Sequence, residues 1–290
     1  MPIDAARALA AEPRSGEIAW TPKDVLLYHL GIGAGLPATD PDELRYTLES
    51  RLHVLPSFAT VAGSGAPGVI SGLSMPGIEV DLARVLHGGQ NLTVHRPIPA
   101  TGRATATSRV AAVYDKGKAA ILVLRTDVAD ADGPLWTNDA QIYVRGEGGW
   151  GGDRGPDTRP EPPAGQPDRT LERTVREDQA LLYRLSGDWN PLHADPDFAK
   201  TAGFDRPILH GLCTYGMTLK AVVDTLLGGD VTCVRSYATR FAGVVFPGET
   251  LRIRLWQQDT GTVRAAVSAA VSAVERDDAP VLADTIVHHS

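Results

Sequence analysis

Two ionisable side chains, Asp188 and His193, lie five residues apart in the segment YRLSGDWNPLH, with Asn190 and Pro191 between them. Proline disfavours helical backbone at the residue before it, so Asn190 should be extended. The two side chains should then lie on irregular backbone, where they can converge, rather than on opposite faces of a helix. A carboxylate and an imidazole that share one water molecule form an acid–base pair suited to neutral pH. The segment therefore predicts acid–base chemistry.

The same segment allows other interpretations. Asp188 could simply close an Asx turn with Asn190, and His193 could be a structural histidine. A metal site is not expected, because no cysteine pair and no tight ligand spacing is present. The residues considered for that role are Asp188, Asn190, His193 and His210.

Downstream of Asp188 and His193, the segment Pro207-Ile208-Leu209-His210-Gly211 leads into an apolar helical pattern from Leu212 to Leu227. The first residues of a helix present free backbone N–H groups and a partial positive charge. Gly211 has no side chain, so an oxygen atom can approach its N–H closely. These are the requirements of an oxyanion hole.

The elements that must position these residues fall into two halves. Between Gly146 and Asp168, 12 of 23 residues are glycine or proline, which indicates a linker. The motif LLYxL occurs on both sides of it, at Leu26 and at Leu181, and Ile98-Pro99 is echoed by Phe246-Pro247. We therefore expect a duplicated fold, with halves 1–145 and 169–290 joined by a linker over 146–168.

Each half should begin with a short helix and end in strands. Thr21 and Thr174 are each followed three residues later by an acid, and each is expected to cap a helix. In Leu251–Leu255 apolar and polar residues alternate, as on a half-buried strand. Helices early and strands late, repeated twice, predict an α+β protein with antiparallel sheets.

Composition limits the partners. The 290 residues carry a net charge of −7, whereas a general nucleic-acid binder would show a basic surplus. No apolar run approaches the roughly 20 residues that span a bilayer, and the first residues lack the apolar stretch of a secretion signal. With only two cysteines, a disulfide framework is not expected. We expect a cytoplasmic protein that binds neither membrane nor nucleic acid.

The segment Tyr183–His193 resembles the signature of the MaoC-like (R)-specific enoyl-CoA hydratases, the hydratase 2 family, and most closely the hydratase 2 domain of peroxisomal multifunctional enzymes. The resemblance spans nearly the whole chain. It continues through 202–204, 207–213 and 240–242, and in the first half through 28–34, 85–90 and 115–117.

This resemblance implies a double hot-dog fold, in which two antiparallel sheets each wrap around a central helix. The first half has no Asp…His pair, so it would be a degenerate partner that shapes the acyl pocket. The implied reaction is the reversible hydration of trans-2-enoyl-CoA to (3R)-3-hydroxyacyl-CoA. Asp188, His193 and Asn190 would hold and activate the water, and the Gly211 N–H would stabilise the thioester oxygen.

The resemblance also implies substrate contacts at His87, Gly88, Lys116 and Phe241, with Lys116 meeting a phosphate of coenzyme A (CoA). Two alternatives remain open for these residues: Lys116 could be a solvated turn lysine, and His87 could cap the C-terminus of a helix. No cofactor is expected beyond the CoA of the substrate, and the protein could form a homodimer.

Three other functions fit the same residues. A (3R)-hydroxyacyl-thioester dehydratase of fatty-acid elongation would run the same chemistry in reverse. A hot-dog thioesterase would activate water at the carbonyl carbon instead of at C3. A sensor would bind acyl-CoA without turning it over.

Overall fold

The computed structural model describes residues 3–63, 76–80, 84–156, 164–258 and 265–290, with only the backbone described for 265–270. Ten strands lie in these ranges: β1 (Arg14–Trp20), β2 (Val85–Val94), β3 (Gly102–Asp115), β4 (Ala119–Asp130), β5 (Gly133–Arg145), β6 (Arg169–Thr174), β7 (Val234–Phe241), β8 (Thr250–Gln258), β9 (Ala265–Ala273) and β10 (Ala279–His289).

Six α-helices accompany the strands: α1 (Ala5–Leu9), α2 (Pro22–Gly31), α3 (Leu44–Thr47), α4 (Gln179–Tyr183), α5 (Pro196–Thr201) and α6 (Gly211–Leu226). Short 3-10 helices follow at Glu49–Arg51, Pro56–Thr60, Arg184–Ser186, Pro191–His193, Val231–Cys233 and Val274–Arg276. Among the helices described, none has both the length and the apolar composition needed to cross a membrane.

The strands form one antiparallel sheet in the order β1-β3-β4-β5-β2-β7-β10-β9-β8-β6. Five strands come from each half, and this confirms the double hot-dog fold. The expectation of two separate sheets needs a correction, because β2 pairs with β7 over Gly89–Thr93 and joins them edge to edge. The pairing satisfies backbone groups that a free edge strand would leave open.

The second half wraps around α6, in which the eleven consecutive residues from Cys213 to Val223 are all buried. The apolar pattern from Leu212 to Leu227 therefore predicted this helix to within one residue at each end. In the first half, the helical segment that contacts β2 and β5 is the short 3-10 helix Pro56–Thr60. Within the described ranges, the helical segment that packs on the sheet of the first half is thus shorter than α6 of the second half.

The duplicated LLYxL motif is visible in the packing of α2 against α4. The rings of Tyr28 and Tyr183, one from each copy, lie 6.1 Å apart between centroids. Gly31 allows this close approach, because a Cβ there would lie 3.2 Å from the Tyr183 backbone. At the start of α2 the predicted cap is present, since the Asp24 carboxylate accepts from the N–H of Thr21 at 2.8 Å.

The helix predicted to begin at Thr174 begins later. Thr174 ends β6, and α4 starts at Gln179. The cause is tertiary: the N–H of Val175 donates to Glu249 at 2.8 Å and its carbonyl accepts from Gly248 at 2.9 Å. These bonds keep the chain extended past the position where the local capping signal would start a helix.

The predicted linker is only partly a free connection. Its first part, through Pro156, returns to the end of β3, where the Asp115 carboxylate accepts from the N–H groups of Gly149 and Gly151, both at 2.8 Å. Its last residue, Asp168, accepts from the N–H of Gln257 at 2.8 Å. Residues 157–163 of the linker lie outside the described ranges.

Candidate active site

The loop after α4 has the irregular backbone that the sequence predicts. Gly187 adopts a φ of 119°, which a residue with a side chain rarely tolerates, and the chain turns there. Asn190 is extended, with φ −54° and ψ 122°, as expected before Pro191. The Asx turn is also present: Asp188 Oδ1 accepts from the Asn190 N–H at 3.2 Å.

His193 is buried, and one of its ring nitrogens is fixed. Its Nδ1 lies 2.8 Å from the backbone carbonyl of Ile208. A carbonyl oxygen can only accept, so in the neutral ring Nδ1 carries the proton and Nε2 keeps its lone pair. The turn Pro191–His193 thus delivers an imidazole with a defined acceptor.

His210 joins this pair from the residue before α6. Its ring stacks on that of His193, with centroids 3.6 Å apart and planes inclined by 28°. Its Nε2 lies 3.3 Å from the backbone carbonyl of Asp188, and its Nδ1 is buried without a hydrogen-bond partner among the described residues. The side-chain ligand atoms of Asp188, His193 and His210 all lie within 4.8 Å of one another.

His210 was considered only as a possible metal ligand and was not predicted to act in catalysis. It lies 17 residues from His193, and no local spacing brings the two together. The available signal was its position immediately before the proposed oxyanion donor, Gly211.

Burial keeps the imidazoles of the site neutral. It lowers the pKa of His193, while the Ile208 carbonyl and the Asp188 charge act in the opposite direction. Burial, together with the adjacent His193, lowers the pKa of His210 to about 3. For His87, burial lowers the pKa to about 4. At neutral pH the site therefore places neutral rings around one carboxylate.

The cluster Asp188, His193 and His210 has the residue types of a metal site. A tetrahedral ion needs lone pairs that point at one centre. Two nearly parallel, stacked rings direct theirs side by side, and Nδ1 of His193 is already bonded to a carbonyl. The donor set therefore fits such an ion poorly.

Gly211 is the first residue of α6, so its N–H has no acceptor within the helix. The Phe241 ring lies directly beside it, and a Cβ on Gly211 would be 3.0 Å from that ring. The predicted oxyanion donor is thus an open backbone N–H at the positive end of a 16-residue helix.

His87 and Gly88 belong to β2, so the alternative in which His87 caps a helix is wrong. The pairing of β2 with β5 shifts register between His87 and Gly89, which makes Gly88 the extra residue of a bulge. The bulge turns the His87 ring toward Phe241, and the two ring centroids lie 4.8 Å apart.

An outer cavity of about 730 Å³ opens beside these residues. Its lining includes His87, Gly88, Phe241 and three cationic side chains: Lys116, Arg154 and Arg240. Lys116 is more than a solvated turn lysine, since its Nζ donates to the backbone carbonyl of Arg154.

An inner cavity of about 270 Å³ continues from His87 into the first half. It is mostly apolar, and Asp188 and Tyr183 stand at its wall. The Tyr183 hydroxyl is buried without a hydrogen-bond partner in the described part of the chain. The larger apolar side chains that line this inner cavity are Ile18, Val61, Leu124, Val128, Trp136, Ile142 and Leu212.

Five of the predicted site residues line these two cavities: His87, Gly88, Lys116, Phe241 and Asp188. His193 and Gly211 line neither cavity, but His193 lies beside Asp188 and Gly211 lies beside Phe241. Asn190 lies apart. Its side chain is exposed, and Oδ1 accepts from the Leu192 N–H at 3.0 Å. In this arrangement Asn190 shapes the loop that carries Asp188 and His193.

Two family models together match most of the chain. One, described as the MFE-2 hydratase 2 N-terminal domain, matches residues 19–146, and the other, a MaoC-like domain, matches residues 159–278. The boundary between the two matches falls within the predicted linker.

Several known proteins are similar over most of the chain. An enoyl-CoA hydratase of Mycobacterium tuberculosis is 47% identical over 97% of both chains. A peroxisomal enoyl-CoA hydratase 2 of Arabidopsis thaliana is 41% identical over 81% of both. Among solved structures, a MaoC-like dehydratase from Phytophthora capsici superposes with a TM-score of 0.89 at 30% identity, covering 99% of this chain and 98% of that one.

Proposed function

This chain belongs to the MaoC-like hydratase family, and we propose on that premise that it is an (R)-specific enoyl-CoA hydratase. The reaction is the reversible addition of water to trans-2-enoyl-CoA, which gives (3R)-3-hydroxyacyl-CoA. One observation carries the proposal. Asp188 lies in the wall of the apolar cavity within 4.8 Å of His193, and His87 lines both this cavity and the one that is lined by cations. Gly211, the first residue of α6, lies beside Phe241 of the second cavity.

The two cavities suit the two parts of an acyl-CoA. The apolar inner cavity takes the acyl chain, and burial of its methylene groups stabilises the complex by about 0.8 kcal/mol each. The outer cavity takes the pantetheine arm and the nucleotide, and the positive charge of its wall, to which Lys116 contributes, favours the phosphates. The thioester then lies near His87, which lines both cavities.

Charge develops on the thioester oxygen when water attacks C3. The Gly211 N–H and the positive end of α6 stabilise that charge. Because the donor is a backbone group fixed by the helix, it does not reorganise during the reaction. The neutral His87 ring and Phe241 flank the same position and exclude water from it.

Asp188 and His193 hold the attacking water and move its proton. Nε2 of His193 is an acceptor because Nδ1–H is donated to Ile208. The water oxygen bonds to C3 as the π electrons shift toward the thioester, and the pair takes one proton from the water. Return of one proton to C2 collapses the enolate and restores the pair.

The protein is proposed to need no metal and no organic cofactor, since the donor groups named above supply each step. A cytoplasmic location and a role in the β-oxidation of fatty acids are also proposed. Both cysteines, Cys213 and Cys233, are free thiols, which fits a reducing compartment.

A homodimer is proposed through the face that α2 and α4 present. Leu30 of α2, Leu181 of α4 and Leu185 of the 3-10 helix that follows α4 are 38%, 53% and 46% exposed. Light scattering of the protein as it elutes from a size-exclusion column should give twice the monomer mass. The Leu181→Lys variant should elute with the monomer mass. A monomeric wild type would contradict the proposal.

The activity is tested by incubating the protein with trans-2-decenoyl-CoA and following the loss of enoyl absorbance. Chiral analysis should find (3R)-3-hydroxydecanoyl-CoA. The (3S) product would contradict the stereochemistry, and free decenoic acid with CoA would indicate a thioesterase. To test the preference for CoA, the rate is compared with that of the same acyl group attached to acyl carrier protein. The carrier-protein thioester should react more slowly.

A further inference from the structure

We propose that Arg154 binds a phosphate group of CoA, and that the Asp115 carboxylate is the anchor that holds Arg154 at the channel. These two residues would make the enzyme select thioesters that carry the CoA nucleotide. The inference rests on the proposed function and assigns a role to a segment that the sequence predicts only as a linker.

The anchor is built around a buried carboxylate at the end of β3. Asp115 is 4% exposed, and its two oxygens accept from the N–H groups of Gly117, Gly149 and Gly151, each at 2.8 Å. Its own N–H donates to the Asp153 carbonyl at 2.7 Å. The three glycines that donate to this carboxylate lie up to 34 positions apart in the sequence. The Asp115 side chain therefore holds the segment after β5 against the turn after β3.

The composition of this segment follows from its path. Gly149 and Gly151 have φ values of 88° and 78°, which favour glycine. A Cβ on Gly148 would lie 2.6 Å from the Ala119 backbone, and one on Gly155 would lie 2.6 Å from the Tyr114 ring. Gly148 and Gly155 thus allow close packing on β4 and β3, and the backbone angles favour glycine at positions 149 and 151. A flexible tether would require neither.

This packing fixes the position of Arg154. Its carbonyl accepts from Lys116 Nζ, and the carbonyl of the preceding residue, Asp153, accepts from the backbone N–H of Asp115. The following residue, Gly155, packs so closely on Tyr114 that a Cβ there would clash with its ring. Arg154 lies in the wall of the outer cavity, together with Gly155 and Pro156. A residue of the predicted linker is thus part of the channel.

The charges of the outer cavity single out Arg154. Arg240 is paired with Asp284 at 2.7 Å, and Lys116 is engaged with a carbonyl. The Arg154 side chain is exposed, and its guanidinium has no ion-pair partner among the described residues. A guanidinium binds phosphate through two parallel hydrogen bonds, and CoA carries a diphosphate and a 3′-phosphate.

The pKa of Asp115 agrees with its role as an anchor. The N–H groups of Gly149 and Gly117 lower it to about 2, so the carboxylate keeps its charge throughout the pH range of the enzyme.

The test compares Arg154→Gln with Arg173→Gln, which removes an exposed arginine of β6 that is not in the lining of the channel. Three decenoyl thioesters are used: those of CoA, of 3′-dephospho-CoA and of pantetheine. For CoA we expect Arg154→Gln to raise KM about tenfold or more with kcat unchanged, the loss of one charge-assisted bond. KM for the pantetheine thioester should not change, and Arg173→Gln should behave as wild type.

The dephosphorylated substrate identifies the phosphate. If Arg154 binds the 3′-phosphate, the variant and the wild type will have the same KM for 3′-dephospho-CoA thioester, and if it binds the diphosphate, the tenfold difference will persist. An unchanged KM of Arg154→Gln for the CoA thioester would overturn the proposal.

The anchor is tested with Asp115→Asn, which should reproduce the rise in KM for CoA and add little in combination with Arg154→Gln. A normal KM would overturn the role of Asp115.

Calorimetric titration with CoA and with pantetheine needs no turnover, so it tests the phosphate site separately from the proposed hydratase activity. If the wild type binds both equally, the phosphate site fails even if hydration is observed. If CoA binding depends on Arg154 but no enoyl-CoA is hydrated, only the proposed function fails.

Discussion

The imidazole rings of His193 and His210 stack with their centroids 3.6 Å apart, and His210 also contacts the backbone carbonyl of Asp188 at 3.3 Å. His210, the residue that precedes the proposed oxyanion donor Gly211, thereby contacts both members of the proposed acid–base pair. We propose that His210 is a positioning residue, because its ring contacts both the ring of His193 and the backbone of Asp188.

His210→Ala should therefore lower kcat, by about 10²-fold at most, since misplaced reacting groups can cost that much. KM should change little, because His210 lines neither cavity. His210→Phe keeps a ring on His193 and should retain more activity than the alanine variant. Steady-state kinetics on folded variants measure the difference, and equal losses in the two would contradict the role of the stack.

Gly211→Ala should lower kcat by about 10²–10³-fold, the typical loss when an oxyanion donor no longer reaches its oxygen. The added methyl group would lie 3.0 Å from the Phe241 ring, in the space where the thioester oxygen approaches. Gly216→Ala in the same helix is the control. Its methyl group would meet the Tyr28 hydroxyl at 2.5 Å, so it should cost about 1–3 kcal/mol of stability instead. A normal kcat in Gly211→Ala would contradict the close approach of the thioester oxygen to this N–H, which the methyl group would obstruct.

The free energy of unfolding should fall as the pH drops from about 6.5 to 4, in part because of His29. This ring is fully buried, with Nδ1 bonded to the Tyr46 carbonyl and Nε2 accepting from the Leu55 N–H. Burial lowers its pKa to about 4, against about 6.5 in the unfolded chain.

Between those values the unfolded state binds the additional proton, so stability decreases with acid by up to about 1.4 kcal/mol per pH unit from this group. Urea unfolding at pH 7, 6 and 5 should show a shallower slope for His29→Gln than for wild type. His95→Gln, at an exposed ring, should leave the slope unchanged. Identical slopes in all three proteins would contradict the assignment.

A partly buried ion network, centred on the buried Lys220, joins the two halves and should contribute strongly to stability. Lys220 of α6 bonds to Glu43 at 2.6 Å and to Asp224 at 2.7 Å, and the Tyr46 hydroxyl donates to Asp224 at 2.6 Å. Lys220→Met leaves two carboxylates uncompensated and should cost about 3–5 kcal/mol.

Arg176→Met removes the exposed pair with Asp178 and is the control, expected to cost about 1 kcal/mol or less. Denaturant unfolding measures both variants. Equal costs would show that the network around Lys220 contributes no more than a surface pair.

The parts of the fold that local patterns determine could be predicted from the sequence. The apolar spacing of α6, the alternation of β8 and the cap at Thr21 are each properties of a few neighbouring residues. β2 was not predicted, because Gly88 and Gly89 suggest a turn, and only its pairing with β5 and β7 makes it a strand. At Thr174, bonds to a distant segment outweighed a correct local signal.

The same distinction applies to the site. Asp188 and His193 were predicted because Pro191 places both on one short loop. His210 and Arg154 were not assigned roles, since His210 reaches its position through the fold of the 194–209 segment and Arg154 through the Asp115 anchor. A glycine-rich stretch indicates a linker unless its contacts are known.

Asp188 and His193 are proposed to activate the water that is added to C3. The most direct measurement is the initial rate of hydration of trans-2-decenoyl-CoA by wild type, Asp188→Asn and His193→Gln, together with the Kd of each for the substrate. Both variants should bind with near-normal Kd and lose about 10²–10⁴-fold in kcat, the contribution of general acid–base catalysis. A folded variant of either residue that hydrates the substrate at the wild-type rate would contradict the account.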